Sequence, residues 1–595
     1  MQDSLFAEDH NAPAGFQPDA LPEHLGDGAH GFDTETTGLR WWEGDRPIGL
    51  SITTPTGPVY LPWGHASGNL PEERVKEWAR RELAGRHLVG HNIRFDIHMM
   101  REWGVDLVAL GCTFSDTGHY AALLDDHRQR FDLESIGQDY VGAGKVADTL
   151  DKGRMATYGA HEVTAYARQD AALVLQLHEA MTPRLDAENL GRVLDLERRV
   201  IPVVCAMEAR GCPIDVEKLE RWDREAEAKV HALFFQLAAE AGFRVEPTKA
   251  SSMARLYEKL GVKVARTDSG QVATDDATLR PLAAEHPALD LARRIRQLSS
   301  LRSKFLTGYR EAVGADGIMR YGLHQLRGGQ GGTVSGRFSS SAPARKGSGV
   351  NVQQVFSVEN QTNNLGPDYI IRELYTSASG LFIAQDADQI EYRLFAHYAN
   401  SPAILKAYDD DPTADFHQVV TDMVNAATGG KHTRKECKNV NFARLYGAGV
   451  NKVAAMLNVS VSEAERFLRV YDRAFPQVQK LARDATRAAE RRGWVMTLMG
   501  RRSRFPGGER THKALNAIIQ GTAADYMKLK LVALEDTAKD TGLVLRFTVH
   551  DEVCGDVPDE EAARKVAAVL GEQALDLRVP LLWSGKTGAN WAECK

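Results

Sequence analysis

The sequence predicts a multidomain chain, α/β at its N-terminal end and α+β over its longer C-terminal part. Three observations carry this reading. Short apolar runs broken by turn residues, GFDTETTGL, IGLSITTPTGPVYLP and HLVGHNI, have the pattern of strands, and helical periodicity follows them as far as HEVTAYARQDAALVLQLHEAM. Amphipathic helices then dominate residues 189–318. Finally, the strand-like LFIAQD leads directly into a helix, and LVLRFTVHDEVCGDV reads as two strands joined at a turn with a helix after it.

Taken in order, residues 1–28 are acidic and rich in Pro, Gly and Ala, the composition of a flexible tail. A mixed α/β domain is expected over 29–188. The helical part that follows includes LDLERRVIPVVCAMEARG and LARRIRQLSSLRSKFLTGYREAV. The segment GGQGGTVSGRFSSSAPARKGSG has the composition of a disordered linker. The helix QIEYRLFAHYA and a long helical region over about 402–535 lead to the C-terminal strand pair. No repeat of solenoid period is present.

Composition bounds the function. The chain has 595 residues, 43% hydrophobic and 26% charged, enough to bury several cores. Its six cysteines are scattered without a CxxC pair, as expected of free thiols in a reducing, cytoplasmic compartment. The first 30 residues hold no Lys or Arg, so no secretory signal is expected, and no run of 18 apolar residues predicts a membrane span. The net charge of −7 does not advertise a polyanion partner. Local charge does: residues 483–513 carry nine Lys/Arg against three Asp/Glu, and RRIRQLSSLRSK at 293–304 is purely basic in its charged positions.

Two carboxylate signatures, Asp386 in AQDADQIE and Asp551-Glu552 in VHDEV, end apolar strand-like runs. Between them, Arg434, Lys438, Phe442 and Tyr446 recur every four residues, a slowly drifting stripe on one helix face. Carboxylates suit magnesium, two cations suit a triphosphate, and two rings suit a base and sugar. That combination points to nucleotidyl transfer, which needs positioning and charge neutralisation more than covalent chemistry. In the first domain, Asp33 and Glu35 stand two apart on a strand and share a face. Asn92 and Asp96 follow in GHNIRFD, and Tyr166 and Asp170 share a helical face in YARQD. Four converging carboxylates need cations to offset their repulsion, so a two-metal hydrolytic site is the natural expectation.

These residues resemble family A DNA polymerases. AQDADQIEYR is similar to motif A, RKECKNVNFARLYG to motif B and VHDEV to motif C; TVSGRFSS, NVQQV, TLMGRRSRFP and NAIIQGTAADYMK fall in the family's order across 319–595. The first domain resembles the DEDD-type 3′–5′ proofreading exonuclease with a tyrosine. The resemblance implies an RNase H-like exonuclease domain followed by a right-hand polymerase with an antiparallel palm sheet. The expected boundaries are thumb 189–318, palm 319–395 and 516–595, and fingers 396–515.

It also implies roles. Asp386 and Asp551 would bind two Mg2+ ions, with Mn2+ able to substitute, and Glu552 would support them. Arg434 and Lys438 would hold the triphosphate, with Lys438 protonating the leaving pyrophosphate. Phe442, Gln389 and His550 would meet the incoming dNTP or the primer end, and Glu391 with Tyr446 would exclude ribonucleotides. Arg337, Asn351, Gln354, Asn516 and Gln520 would contact primer–template DNA. Two further Mg2+ ions would sit on Asp33, Glu35, Asp96 and Asp170, where Tyr166 would orient the attacking water. Asn92 and Leu39 would hold the single strand, Leu39 as a wedge at the frayed 3′ end.

Two departures from the pattern stand out. Ala387 and Asp388 replace the usual Tyr-Ser of motif A, and APARKGSG lengthens the link between GRFSS and NVQQV. Only about 28 residues precede the exonuclease pattern, so no 5′-nuclease domain is expected. Gln2, Leu5 and Phe6 in QDSLF resemble peptides that dock on the bacterial sliding clamp. The expected enzyme is a monomer without a membrane partner.

Overall fold

The computed structural model describes residues 11–145, 149–267, 269–329, 331–341, 350–365, 368–445 and 448–594. The first domain is built on a five-stranded sheet of β1 (Ala29–Thr36), β2 (Pro47–Thr54), β3 (Gly57–Pro62), β4 (His87–Gly90) and β5 (Thr113–Asp116), in the order β3-β2-β1-β4-β5. β1 pairs antiparallel with β2 and parallel with β4, so it is the central strand and is buried on both faces. Helices Ile93–Glu102 and Ala160–Ala187 pack against this sheet. This is the expected RNase H-like arrangement. β5 was not anticipated, since TFSD is too short and polar to read as a strand.

The expected flexible tail is corrected for residues 11–28, which lie on this domain. Leu25 is buried, the Trp78 indole donates to the Pro22 carbonyl (2.7 Å), and Asp19 accepts from the Tyr60 amide (2.7 Å) and is ion-paired with Arg168. A few specific anchors outweigh a composition that lacks periodicity. Gln2, Leu5 and Phe6 lie outside the described residues.

The helix Gly191–Arg210 follows almost without a break. It was expected to belong with the helical arm, but it packs on β5, on the helix Ala514–Asp536 and on β13 (Val544–Val549), so it is a spine between the two halves. The arm itself begins with helix Val216–Ala241, which pairs with helix Pro287–Leu301. It is closed at its base where β6 (Cys212–Pro213) meets β7 (Ile318–Met319).

The second large sheet has the order β13-β14-β10-β15, all antiparallel, with β10 Leu381–Ala387, β14 Glu552–Val557 and β15 Trp583–Gly588. The Gly/Ser-rich stretch expected to be a linker is ordered over 331–341. Its Ser339–Ser341 (β9) pairs with Gly322–His324 (β8), and the Ser339 hydroxyl accepts from the Gly332 amide (2.7 Å). Residues 342–349, the whole of APARKGSG, lie outside the described residues. The long helical region is also interrupted: Trp494–Met496 (β11) and Arg502–Arg504 (β12) form a hairpin that packs on helix Ala514–Asp536. Among the described residues, no helix is long and apolar enough to cross a membrane.

The spine helix is fixed to the C-terminal half by a buried cluster of four charges. Glu197 on the spine helix accepts from Lys528 Nζ (2.6 Å) and from Arg501, while Arg501 Nε donates to Asp525 (2.8 Å). None of the four is more than 3% exposed. Burial opposes the ionisation of Glu197, but Lys528 and Arg501 outweigh it and bring its carboxyl down to about 2. Burial pulls Lys528 the other way, down to about 8, against the attraction of Glu197. Removing one partner of such a cluster strands the others in a low dielectric. Glu197→Ala is therefore expected to cost about 3–5 kcal/mol of stability in chemical denaturation; a loss under about 1 kcal/mol would show that the cluster does not hold the spine helix in place.

Candidate active sites

The polymerase-like site grows from the β10–β14 pairing. Asp386, one residue from the end of β10, faces Glu552 across the ladder, and the Ala387 amide donates to the Asp551 carbonyl (3.0 Å). His550 makes the turn between β13 and β14 with φ +57°, a left-handed conformation that a two-residue hairpin turn demands. Asp551 and Glu552 then alternate, so their side chains leave on opposite faces.

The two carboxylates have different environments. Asp551 is pushed up from the usual carboxylate range by burial, opposed by the Arg337 cation. Glu552 is 2% exposed and already matched: Arg372 Nη1 donates to both its oxygens (3.2 Å each) and the Trp591 indole to one (2.9 Å). The Arg372 guanidinium lies 3.8 Å over the Trp591 ring. Glu552 thus supports the hairpin from beneath.

Around this hairpin the structure gathers several expected residues. Arg337 forms an ion pair with Glu391 on the helix Ile390–Ala399. Gln389, with φ +50°, starts that helix and leaves its Oε1 buried without a partner. Asn351 caps the turn Val352–Gln354, accepting from the Gln353 amide (3.0 Å), while Gln354 is exposed. Asn516 and Gln520 are half-buried, one helical turn apart on helix Ala514–Asp536, and Asn516 Oδ1 has no partner. Burial lowers the His550 imidazole, with Arg337 adding to it.

Two braces were missed by sequence reasoning. Gln353 accepts from the His550 amide (3.0 Å) and donates to the Thr548 carbonyl (2.5 Å), fixing the turn between β13 and β14. The doubled Gln in NVQQV was its only signal. Asp388 accepts from the Ser584 hydroxyl on β15, so this departure from the motif ties the turn after β10 to β15.

The helix Arg434–Leu445 presents Arg434 and Lys438 to solvent and buries Cys437, Val440 and Asn441. Arg434 is ion-paired with Asp415, the cap of the helix Phe416–Thr428, rather than standing free for a phosphate. Tyr446 and the side chain of Phe442 lie outside the described residues.

The first domain brings its four expected carboxylates together. Asp33 and Glu35 project from β1, Asp96 from helix Ile93–Glu102 and Asp170 from helix Ala160–Ala187, one turn after Tyr166. The Thr34 amide (2.9 Å) and hydroxyl (2.6 Å) both donate to Asp96. Asn92 enters its helix with φ +62°, a conformation that asparagine tolerates better than most residues. Leu39 projects 55% exposed from the β1–β2 loop.

Burial and mutual repulsion make this cluster reluctant to ionise. Burial raises Asp33, with Asp96 and Asp170 adding to it; Glu35 rises to about 8 and Asp96 to about 7, in both cases chiefly by burial. Buried Glu35 Oε1 and Asp170 Oδ1 lack hydrogen-bond partners. Lys145, unforeseen in its Gly-rich stretch, bonds Asp170 and donates to the Tyr166 hydroxyl (3.1 Å), and Lys152 lies 3.3 Å from the Tyr166 ring centroid. Burial and Asp170 keep that hydroxyl protonated. Among the described residues, no three His, Cys, Asp or Glu side chains stand in a ligating arrangement. Unpartnered oxygens and raised carboxyls nevertheless fit divalent cations, which would relieve both.

Residues 216–593 match the family profile described as DNA polymerase family A, and residues 18–186 match that of a 3′–5′ exonuclease. The chain belongs to DNA polymerase family A. This family A polymerase is 30% identical to the DNA polymerase DpoZ of Salmonella phage PMBT28, over 89% of its own length and 90% of that relative's. With DNA polymerase I of Pseudomonas aeruginosa it shares 29% identity over 94% of its length, spanning 63% of that protein. Its fold matches that of the POL domain of Pol1 from M. smegmatis, solved in complex with DNA primer-template and dNTP. The TM-score is 0.79 at 23% identity, covering 96% of this chain and 97% of that one. The chain is a DNA-directed DNA polymerase with 3′–5′ exonuclease activity. Polymerase and exonuclease domains of these families are metal-dependent.

The raised exonuclease carboxyls carry a pH signature. A carboxyl raised in the folded state keeps a proton that the unfolded chain releases, so its contribution to stability is full below the ordinary carboxylate range and is lost as pH rises. For Glu35 the loss runs up to about 8. The melting temperature of metal-free protein is expected to fall across that window, to recover on adding Mg2+ at its upper end, and to fall less in Glu35→Gln. A profile unaffected by pH, metal and substitution would contradict the electrostatic account of this cluster.

Proposed function

We propose that this polymerase extends a DNA primer with deoxynucleotides at the Asp386–Asp551 site and removes misincorporated 3′ nucleotides at the Asp33, Glu35, Asp96 and Asp170 site, in DNA replication or repair. The observation that carries the reading is the presence of two separate carboxylate sets on two sheets of different topology. In this reading, residues 216–318 are the thumb, the β13-β14-β10-β15 sheet is the palm, and the helices from Pro402 to Arg492 are the fingers. The spine helix belongs to neither thumb nor exonuclease.

Asp386 and Asp551 would hold two Mg2+ ions, and the four exonuclease carboxylates two more, with Mn2+ able to substitute. Bound there, the metals supply neutralisation of phosphate charge and a more acidic water. The residues supply the rest. Arg434 exchanges Asp415 for the incoming triphosphate, and Lys438, solvent-exposed one turn on, delivers a proton to the leaving pyrophosphate. Phe442 packs on the base and sugar, with Gln389 and His550 at the primer end. Glu391, held in place by Arg337, crowds the 2′ position together with Tyr446. Arg337, Asn351, Gln354, Asn516 and Gln520 line the path of the primer–template duplex. Glu552 acts as a positioning residue, its charge matched by Arg372.

At the exonuclease site Tyr166 orients the attacking water through a hydroxyl held by Lys145. Asn92 holds the unpaired strand and Leu39 wedges apart the terminal base pair. The peptide Gln2, Leu5 and Phe6 docks on a sliding clamp, the enzyme itself acting as a monomer.

Two experiments test the division of labour. Asp551→Ala should abolish primer extension, by at least about 1,000-fold, while 3′ degradation of the same primer continues; joint loss of both activities in a folded variant would refute two independent sites. Glu391→Ala should admit ribonucleotides, lowering the preference for deoxynucleotides by about 100-fold in single-nucleotide insertion, whereas unchanged sugar discrimination would remove Glu391 from the gate.

A further inference from the structure

An exposed leucine can part a base pair only if the loop beneath it does not yield. The loop bearing Leu39 is stiffened locally: Asp45 accepts from the Arg40 amide (2.8 Å) and the Thr37 hydroxyl (3.2 Å), and Thr37 in turn accepts from the Arg46 amide (3.1 Å). These bonds fix the shape of the loop. They do not fix where it stands relative to the strand it must open.

That second task falls to Trp41. Two residues beyond Leu39, its indole is 7% exposed and lies flat on the buried His98 ring, centroids 4.2 Å apart and planes 6° from parallel. Arg101 stands over the indole at 5.4 Å and donates to His98 Nδ1 (2.8 Å). His98 Nε2 meets Glu208 on the spine helix (2.9 Å), and the other Glu208 oxygen accepts from the Leu323 amide of β8 (2.7 Å). A continuous chain of stacked and hydrogen-bonded groups thus runs from the wedge loop to a strand of the polymerase half. Leu39 and Trp41 line one cleft of about 440 Å³ together with Gln325 and Arg327, just after β8.

We propose that Trp41 is a positioning residue for strand opening. It transmits the placement of β8, through Glu208 and His98, to the Leu39 wedge, so that excision from a paired 3′ end depends on the polymerase half while hydrolysis of an already single strand does not. This rests on the proposed wedge role of Leu39. The physical ground is that unstacking a terminal base has to be driven by a part that keeps its position under load, whereas a free single strand needs no such part.

The test uses the full chain with Mg2+ and no nucleotides, comparing excision from a matched duplex 3′ end with excision from the same strand alone. Trp41→Ala is expected to lower the duplex-to-single-strand ratio about tenfold, Trp41→Phe, which keeps a ring on His98, to restore most of it, and Leu39→Ala/Trp41→Ala to fall no further than Leu39→Ala. Primer extension by the same preparations checks that each variant is folded. If Leu39→Ala lowers the ratio and Trp41→Ala does not, the positioning role is overturned and the wedge stands. If Trp41→Ala slows both substrates equally, its role is merely structural and the proposal falls. If Leu39→Ala itself leaves the ratio unchanged, the wedge reading fails and the proposal with it.

Discussion

Everything in this molecule hangs on the helix Gly191–Arg210, and on the carboxylate of Glu197 that anchors it. The helix is shared property: it lies against β5 of one sheet and β13 of the other. A purely apolar contact could slide. Four charges buried between Glu197, Arg501, Asp525 and Lys528 cannot, because any shift that breaks one bond leaves a bare charge out of water. Glu208, three turns on, repeats the device against Arg94 and His98. The two active sites are therefore held in a fixed relation by electrostatics, where a flexible linker would have let them drift.

The sites themselves solve opposite electrostatic problems. Beneath the polymerase hairpin, negative charge is matched within the protein, since Glu552 has Arg372 and Trp591, and Glu391 has Arg337. That hairpin is preorganised before any substrate arrives. The exonuclease cluster has four carboxylates against Lys145 and Lys152 nearby, and burial with mutual repulsion raises Asp33, Glu35 and Asp96. It is a site that asks for cations, and it would discharge that demand only when they are bound.

Much of this was legible in the chain because the chemistry imposes short-range spacing. Asp33 and Glu35 had to be two apart on a strand, Tyr166 and Asp170 four apart on a helix, and Asp386 and Asp551 at strand ends. The fold class followed from the same periodicities. What was not legible depends on partners far away in sequence. Ser339–Ser341 orders a linker-like stretch only because β8 is there to pair with it. Residues 11–28 settle through contacts to Trp78 and Arg168 that no local pattern announces. Arg372 and Trp591, which settle the status of Glu552, are 180 residues before it and 39 after it. The placement of the spine helix was misjudged for the same reason, since its amphipathic pattern says that it has a buried face but not which neighbour covers it.

The order of elements along the chain has a further consequence. All five strands of the exonuclease sheet and all four of its carboxylates precede residue 188, whereas the palm sheet is complete only with Trp583–Gly588, and Glu552 is seated only by Trp591. Domains fold from the N-terminus as the ribosome releases them. A nascent chain therefore holds every part of its nuclease sheet several hundred residues before it can assemble a polymerase, and Leu323, the last link beneath the Leu39 loop, emerges in between. The core under that sheet also draws on Ile201, Cys205 and Leu326, so its packing is completed only as the spine helix and the stretch after β8 follow.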